Sequence, residues 1–434
     1  EDAQFHPYAG VYRTYMVPNN QQDLASRLSS LLRAVKLVYA STYFESPKSF
    51  AKSTGSRVTD EAMGVVIQQL VGLRYSDFYY PCMSGVAQSF NYYPVDPMKP
   101  EDGVVHMAVG FGKTVVEGGK SLRFCPRYPE VLTQFSTVDD ILANSQRFFY
   151  ALRLGDAGAH QATDINSFME RRDIYDAREE FPIVASCSTY DPAEHRIIDT
   201  GAGAGGKVVT FARILKHKVL PLPELLSEIL DTMRRSMGCP VEIEFAVNLR
   251  EEDESSCDFY LLQMRPMVTG KSSSEVTITS GDLARSFCSS RVVLGNGVFG
   301  EISDIVYVKL EDFSLEDTPD IAEEVGRING LLVSERRPYL LIGPGRWGSF
   351  DRWLGIPVQW RHISGVGAIV EIRGALIKAD PSLGSHFFHN ITSLGIPYFT
   401  VTETGDDKID WGWLSSLTSV HETRHLRHVR TPSP

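Results

Sequence analysis

The residues best suited to chemistry lie in two short stretches, Val241-Glu242-Ile243-Glu244-Phe245-Ala246-Val247 and Leu262-Gln263-Met264-Arg265-Pro266. In the first, apolar residues take every odd position, so on a strand Glu242, Glu244 and Ala246 share the opposite face, and Glu244 lies half-buried beside a core. In the second, Gln263 and Arg265 lie on one face, Leu262 and Met264 on the other. If the two pair across the charged loop Asn248–Ser256, a carboxylate, an amide and a guanidinium converge on one patch of sheet. Glu and Gln oxygens suit Mg²⁺ bridging nucleotide phosphates, and an arginine fork suits phosphate oxygens. None of the three is a nucleophile. The competing reading is a Glu–Arg cross-strand ion pair on an ordinary sheet face.

Elements of an α/β protein must hold that patch. Leu24, Leu28, Leu31, Leu32, Val35 and Val38 recur at helical spacing over Asp23 to Ser41, after an extended opening segment Val11–Val17. Val65-Val66-Ile67, Gly85-Val86-Ala87 and Val104–Val109 sit in short runs bounded by Gly, Pro and Ser and read as strands of one sheet. Val138–Leu154 and Leu222–Met237 are helical by period, the second opening at Pro221 and Pro223. The polar run Thr269–Glu275 is the linker expected to divide the chain into 1–270 and 276–434.

With 54 acidic against 43 basic residues the chain carries a net charge of −11, which argues against bulk nucleic-acid binding. No apolar run approaches the roughly 20 residues of a membrane-spanning helix. The six cysteines are scattered singly with no CxxC pair, which fits a reducing cytoplasm. The chain opens on Glu1-Asp2, without a methionine or a basic, apolar leader, and is expected to be a fragment.

Ile243-Glu244-Phe245 followed by Leu262-Gln263-Met264-Arg265-Pro266 resembles the end of the ATP-binding domain of the phosphoenolpyruvate synthase and pyruvate phosphate dikinase family. Further pieces resemble that family in the same order: Glu1-Asp2-Ala3-Gln4-Phe5 with Tyr8-Ala9-Gly10, then Val66–Val71, Ser84-Gly85-Val86-Ala87 and Gly110–Gly118. The resemblance implies an ATP-grasp domain that uses ATP and Mg²⁺, incomplete at its N-terminus, where the subdomain with the phosphate-binding Lys and Arg is missing, so the fragment is expected to be inactive alone. By carry-over, Glu244 and Gln263 are metal or phosphate ligands, Arg265 is a phosphate contact, and Gln68 lies on a strand lining the nucleotide cleft. The sequence departs from the family pattern at Lys113, where an acidic residue is expected.

Val292–Glu301 and Ile305–Val308 loosely resemble the opening of the family's swivelling phosphohistidine domain. Gly384-Ser385-His386, with Leu394-Gly395-Ile396-Pro397 after it, matches the spacing of that domain's motif, which makes His386 the candidate phosphate acceptor. A neutral imidazole nitrogen can attack a phosphoryl group and later release it. Phe387-Phe388 replaces the small residues of the family motif. The implied activity is phosphoryl transfer from ATP, through a histidine, to pyruvate or a similar small acceptor, with no nucleic-acid or membrane partner and a homodimer left open. The alternative is a non-catalytic nucleotide-binding regulator or scaffold that kept the fold.

Three other signals weigh less. His421-Glu422-Thr423-Arg424-His425 has the spacing of a zinc-protease helix, but its context reads as a solvated basic tail. Thr200–Lys207 lacks the ending of a phosphate-binding P-loop and reads as a hairpin or mobile loop. Gly343-Pro344-Gly345-Arg346-Trp347-Gly348-Ser349 is either a packed turn or a cation and flat surface offered to a ligand or another domain.

Overall fold

The helical period after Asp23 forms α1 (Leu24–Ser41) in the computed structural model of the chain, opened by the Asp23 carboxylate accepting from the Ser26 amide at 2.7 Å. The structure describes residues 9–10, 12–54, 62–154, 168–203, 205–253, 256–267, 276–295, 297–300, 302–311, 313–374, 376–377, 385–402 and 406–432. The expected linker at 269–275, the opening stretch 1–5 and Gly384 lie outside them. The next helix, α2 (Glu45–Thr54), sends the fully buried Phe50 against Trp360, ring centroids 5.6 Å apart, in the core of the C-terminal sheet.

The site is carried by a five-stranded antiparallel sheet of β1 (Met83–Gln88), β2 (Val104–Ala108), β3 (Leu122–Phe124), β4 (Val241–Leu249) and β5 (Cys257–Pro266), in the order β5-β4-β1-β2-β3. Its apolar face, with Ile243, Phe245, Val247, Met83 and Met107 fully buried, packs into the main core beneath α3 (Leu222–Met237). Gly85 makes this packing possible: a Cβ there would stand 2.6 Å from the Phe245 ring and overlap the His106 carbonyl. Beside this sheet lie a four-stranded sheet (73–75, 78–80, 148–153, 169–173) and a three-stranded one (187–191, 196–198, 206–209).

Two expectations need correction. The helix predicted over 138–154 ends at Asn144, and Phe148–Arg153 is a strand, because aromatic and alternating residues favour the pleated surface. Residues 62–70 form no strand: Val66 and Ile67 are exposed, and the segment joins no ladder.

The C-terminal body is a seven-stranded mixed sheet of β6 (Val292–Leu294), β7 (Asp304–Val308), β8 (Tyr339–Pro344), β9 (Val366–Arg373), β10 (Tyr398–Thr402), β11 (Ser419–Glu422) and β12 (Leu426–Arg430), ordered β6-β10-β9-β8-β7-β12-β11. Strands β7 to β10 run parallel, with α4 (Thr318–Ser334) crossing from β7 to β8 and α5 (His386–Ser393) from β9 to β10. Both helices pack on one face of the sheet. The HExxH spacing falls on the β11–β12 hairpin, so His421 and His425 do not share a helix face. Among the described residues no helix is long and apolar enough to cross a membrane, and all six cysteines are free.

Candidate functional site

The polar face of the five-stranded sheet is assembled by register. Glu242 pairs with Arg265 and with Gln88, Glu244 pairs with Gln263 and with Val86, and Val86 pairs with His106. A bulge between Glu244 and Phe245 interrupts the β4–β5 ladder at the carboxylate itself, a device that re-aims a side chain.

Arg265 is the hub of this face. Its Nε donates to Glu242 Oε1 at 2.9 Å and its Nη2 to Glu244 Oε1 at 2.5 Å, while Gln88 Nε2 donates to Glu242 Oε2 at 2.6 Å. Arg265 and Glu242 are each 3% exposed, whereas the Glu244 side chain keeps 24% of its surface. The cross-strand ion pair expected as the competing reading is therefore present, alongside the convergence of carboxylate, amide and guanidinium. Gln68 sits beside the outer edge of β5, its Nε2 bonded to the Leu262 carbonyl at 3.1 Å, and not on a strand.

Helix α5 brings the expected histidine to this face. Ser385 caps the helix by accepting from the Phe388 amide at 3.2 Å, and Phe388 and Ile391 anchor it in the core of the seven-stranded sheet. His386 and His389, three apart, share the stripe turned to the five-stranded sheet. His386 Nε2 lies 3.9 Å from Glu244 Oε1, and His389 Nδ1 lies 3.7 Å from Glu242 Oε1. The other side of the His386 ring rests on Gly10, at φ +68°, where a Cβ would overlap the imidazole. Asn390 Nδ2 donates to the Ala9 carbonyl at 2.8 Å. Burial alone pushes the Glu244 carboxyl up, but the facing His386 and the charges of Arg265 and His389 outweigh it and hold the group below its ordinary value.

The glycine-rich turn after β8 makes the second set of contacts between the two sheets. Trp347 is fully buried, its Nε1 donating to the Val370 carbonyl at 3.2 Å. Arg346 turns the other way, its Nη1 reaching the Gly118 carbonyl at 2.9 Å, with Ser349 Oγ on the same oxygen at 3.1 Å and the Phe350 amide on Glu117 O at 3.1 Å. The turn thus offers its cation to another part of the chain. Lys113, at the departure from the family pattern, pairs with Glu117 and lies over the Tyr150 ring.

Two buried groups near Arg346 are strongly shifted. Burial pushes Glu371 up to about 7, against the opposing pull of its bonds from Tyr398 and the Trp347 amide and of the Arg346 charge. Burial, with the charges of Arg123 and Arg346, pushes His106 down to about 3, and its buried Nε2 has no hydrogen-bond partner among the described residues.

Glu242, Gln88 and His389 are the members of this site that sequence reasoning did not select, whereas Arg346 was singled out in its glycine-rich turn. Glu242 was legible from the same alternation that selected Glu244. Nothing local points to Gln88 or His389, because their partners lie far away in sequence.

The glycine-rich stretch before Lys207 is not the expected hairpin, because the strands on either side of it, 196–198 and 206–209, flank 187–191 on opposite edges; Lys207 Nζ bonds the Gly201 and Gly203 carbonyls, so the lysine is turned back onto its own stretch. Among the described residues no group of three or more His, Cys, Asp or Glu side chains is arranged to hold a metal. A carboxylate and an amide in register, Glu244 and Gln263, are nonetheless the hard oxygen donors that Mg²⁺ takes when phosphates complete its shell.

No curated protein matches the chain. Residues 1–284 match the family described as the pyruvate phosphate dikinase AMP/ATP-binding domain, well over half of the 434 residues. The match takes in every strand of the five-stranded sheet and its polar face, and the chain belongs to that family.

Proposed function

We propose that the chain is part of an ATP-dependent phosphotransferase of the phosphoenolpyruvate synthase and pyruvate phosphate dikinase type, with His386 as the intermediate acceptor and pyruvate or a similar small molecule as the final one. The observation that carries this reading is the approach of His386 Nε2 to within 3.9 Å of Glu244, across 141 residues of sequence. Support also comes from the family match, which covers the sheet that bears Glu244, Gln263 and Arg265.

Each side chain has a definite task in this reading. Glu244 and Gln263 would hold Mg²⁺, which would supply charge neutralisation for the phosphates. Arg265 anchors the Glu244 carboxylate and presents positive charge to the phosphates. His386 offers Nε2, the nitrogen facing the acidic patch, while Nδ1 rests against Gly10. The Nε2 lone pair forms the new bond to phosphorus as the bond to the nucleotide's leaving oxygen breaks, and that oxygen keeps the electron pair. Catalysis then rests on positioning and charge neutralisation. The C-terminal body, a parallel βαβ arrangement that delivers a histidine on the helix after β9, is read as a divergent swivelling-type domain.

Incubation with Mg²⁺ and γ- or β-labelled ATP tests the proposal through acid-labile protein phosphate. Label that vanishes in His386→Ala and Glu244→Ala supports it and identifies the phosphate that moves. ATP binding without label would sink the histidine relay. The alternative, a nucleotide-binding regulator without chemistry, is favoured by one observation: Arg265 is already engaged by both carboxylates of its own sheet.

A further inference from the structure

Independently of the nucleotide reading, we propose that His421 and His428, opposite one another in the β11–β12 hairpin, form a two-histidine site for a nitrogen-preferring dication such as Zn²⁺. Asp304, at the start of β7, fixes the chemistry of the inner ring. Its carboxylate is 1% exposed and accepts from Arg337 Nε at 2.7 Å, Arg430 Nε at 2.9 Å and His428 Nε2 at 2.8 Å. Two guanidiniums on one carboxylate hold it ionised, and an ionised carboxylate only accepts, so His428 carries its proton on Nε2. His428 Nδ1 is buried and has no hydrogen-bond partner among the described residues. A second proton there would add an unpaired buried charge to a ring that shares its carboxylate with two guanidiniums, so Nδ1 keeps a bare lone pair. An imidazole that gives one N–H to a carboxylate and leaves its other nitrogen bare is the arrangement that metal-bound histidines take, because the carboxylate fixes the tautomer and raises the basicity of the ligand.

The hairpin brings the second ring to the first. β12 lies between β7 and β11, so His428 bonds Asp304 on one neighbour and stands opposite His421 on the other. The register runs from Ser419 opposite Val429 to His421 opposite His428, two residues of β11 against one of β12, and the extra residue, Val420, is what puts His421 in that place. The two ring centroids are 5.5 Å apart, with planes 23° from parallel. Two imidazoles on one Zn²⁺ each hold a nitrogen about 2.0–2.1 Å from the metal, with the ring centre about 1.1 Å beyond, so at a tetrahedral angle the centres stand roughly 5 Å apart. Cross-strand neighbours reach such spacings without a metal, and the fixed tautomer of His428 is what sets this pair apart. His421 is exposed, so its ring is free to turn a nitrogen toward the ion. Among the described residues no third His, Cys, Asp or Glu completes a metal-holding group with these two, so water fills the remaining positions.

The test titrates the whole chain, carrying selectively labelled histidine, with Zn²⁺ alone, and follows both the heat of binding and the imidazole resonances. One equivalent should bind with the His421 and His428 signals moving together. His421→Ala, at an exposed position on an edge strand, should weaken that binding at least tenfold, the lower bound for losing even an outer-shell partner, and should leave the His428 signal unmoved by the metal. His421→Gln serves as the second variant should the first disturb the hairpin, and it should weaken binding in the same way. Zn²⁺ that binds equally well to parent and variants, or that moves the His421 signal without that of His428, would reduce the effect to a surface imidazole and overturn the site. An absence of binding heat in excess Zn²⁺ would overturn it too.

Discussion

Arg265 donates its Nε to Glu242 Oε1 at 2.9 Å inside the sheet, with each residue only 3% exposed. A buried charge that loses its partner is costly, while the intact pair adds little over a well-packed apolar replacement. Arg265→Ala should therefore destabilise the protein by about 3–5 kcal/mol in urea unfolding, because it strands Glu242 as well as releasing Glu244. The double replacement Arg265→Met with Glu242→Leu should recover most of that loss. A cost below about 1 kcal/mol for Arg265→Ala would show that Gln88 and His389 suffice to hold the carboxylate.

Gly85 lies directly opposite Phe245 in the β1–β4 ladder, and Phe245 stacks on Phe259 at 5.6 Å. Gly85→Ala pushes a methyl into that ring from a strand that cannot retreat, since β2 holds its other edge. Overpacking of this kind costs about 1–3 kcal/mol. The denaturation midpoint should fall accordingly, and pairing with Phe245→Leu should restore part of it. An unchanged midpoint would mean that the ladder shifts to make room.

The polar patch was legible because a strand's period of two is visible in Val241–Val247 without any knowledge of neighbours, and the Cys257–Pro266 partner follows after one charged loop. The same logic failed at 62–70, where apolar residues suggest a strand but an apolar run forms one only if a ladder partner is present. It failed at Phe148–Arg153 because a strong helical start at Thr137 masked the change of period after Asn144. His386 was proposed from its resemblance to a family motif, and a motif says nothing about what the residue faces. Its approach to Glu244 depends on α5 crossing between β9 and β10 and on the turn at Arg346 fixing one sheet against the other. Both are tertiary facts.

Glu371 offers a pH dependence whose sign is fixed by its raised value. Its carboxyl titrates near 7 in the folded chain against 4.5 as an ordinary glutamate, so between those values the folded state holds a proton that the unfolded state has released. Stability then falls as pH rises from about 4.5 to 7 and levels off above, by roughly 3 kcal/mol for a shift of this size. Glu371→Gln should flatten that part of the stability profile while keeping acceptor capacity for the Trp347 amide. A slope of the opposite sign, or one that survives the substitution, would assign the dependence to another group.

Arg346 links that buried acid to the contact between the two bodies, since its guanidinium bonds the Gly118 carbonyl in the turn that precedes β3 while its charge opposes the upward shift of Glu371. Arg346→Gln removes the charge and shortens the reach, so two effects should appear together. The Glu371 carboxyl resonance should titrate above 7, because loss of a nearby cation disfavours the ionised form. The Phe350 amide, now bonded to Glu117, should exchange several-fold faster as the turn loosens, the scale expected for one lost charge-assisted hydrogen bond. If the titration moves but the exchange does not, Arg346 tunes the acid without holding the sheets together, and Ser349 with the Phe350 amide carries the contact. If the exchange moves alone, the charge of Arg346 is too well screened to reach Glu371, and burial by itself sets the value of that acid.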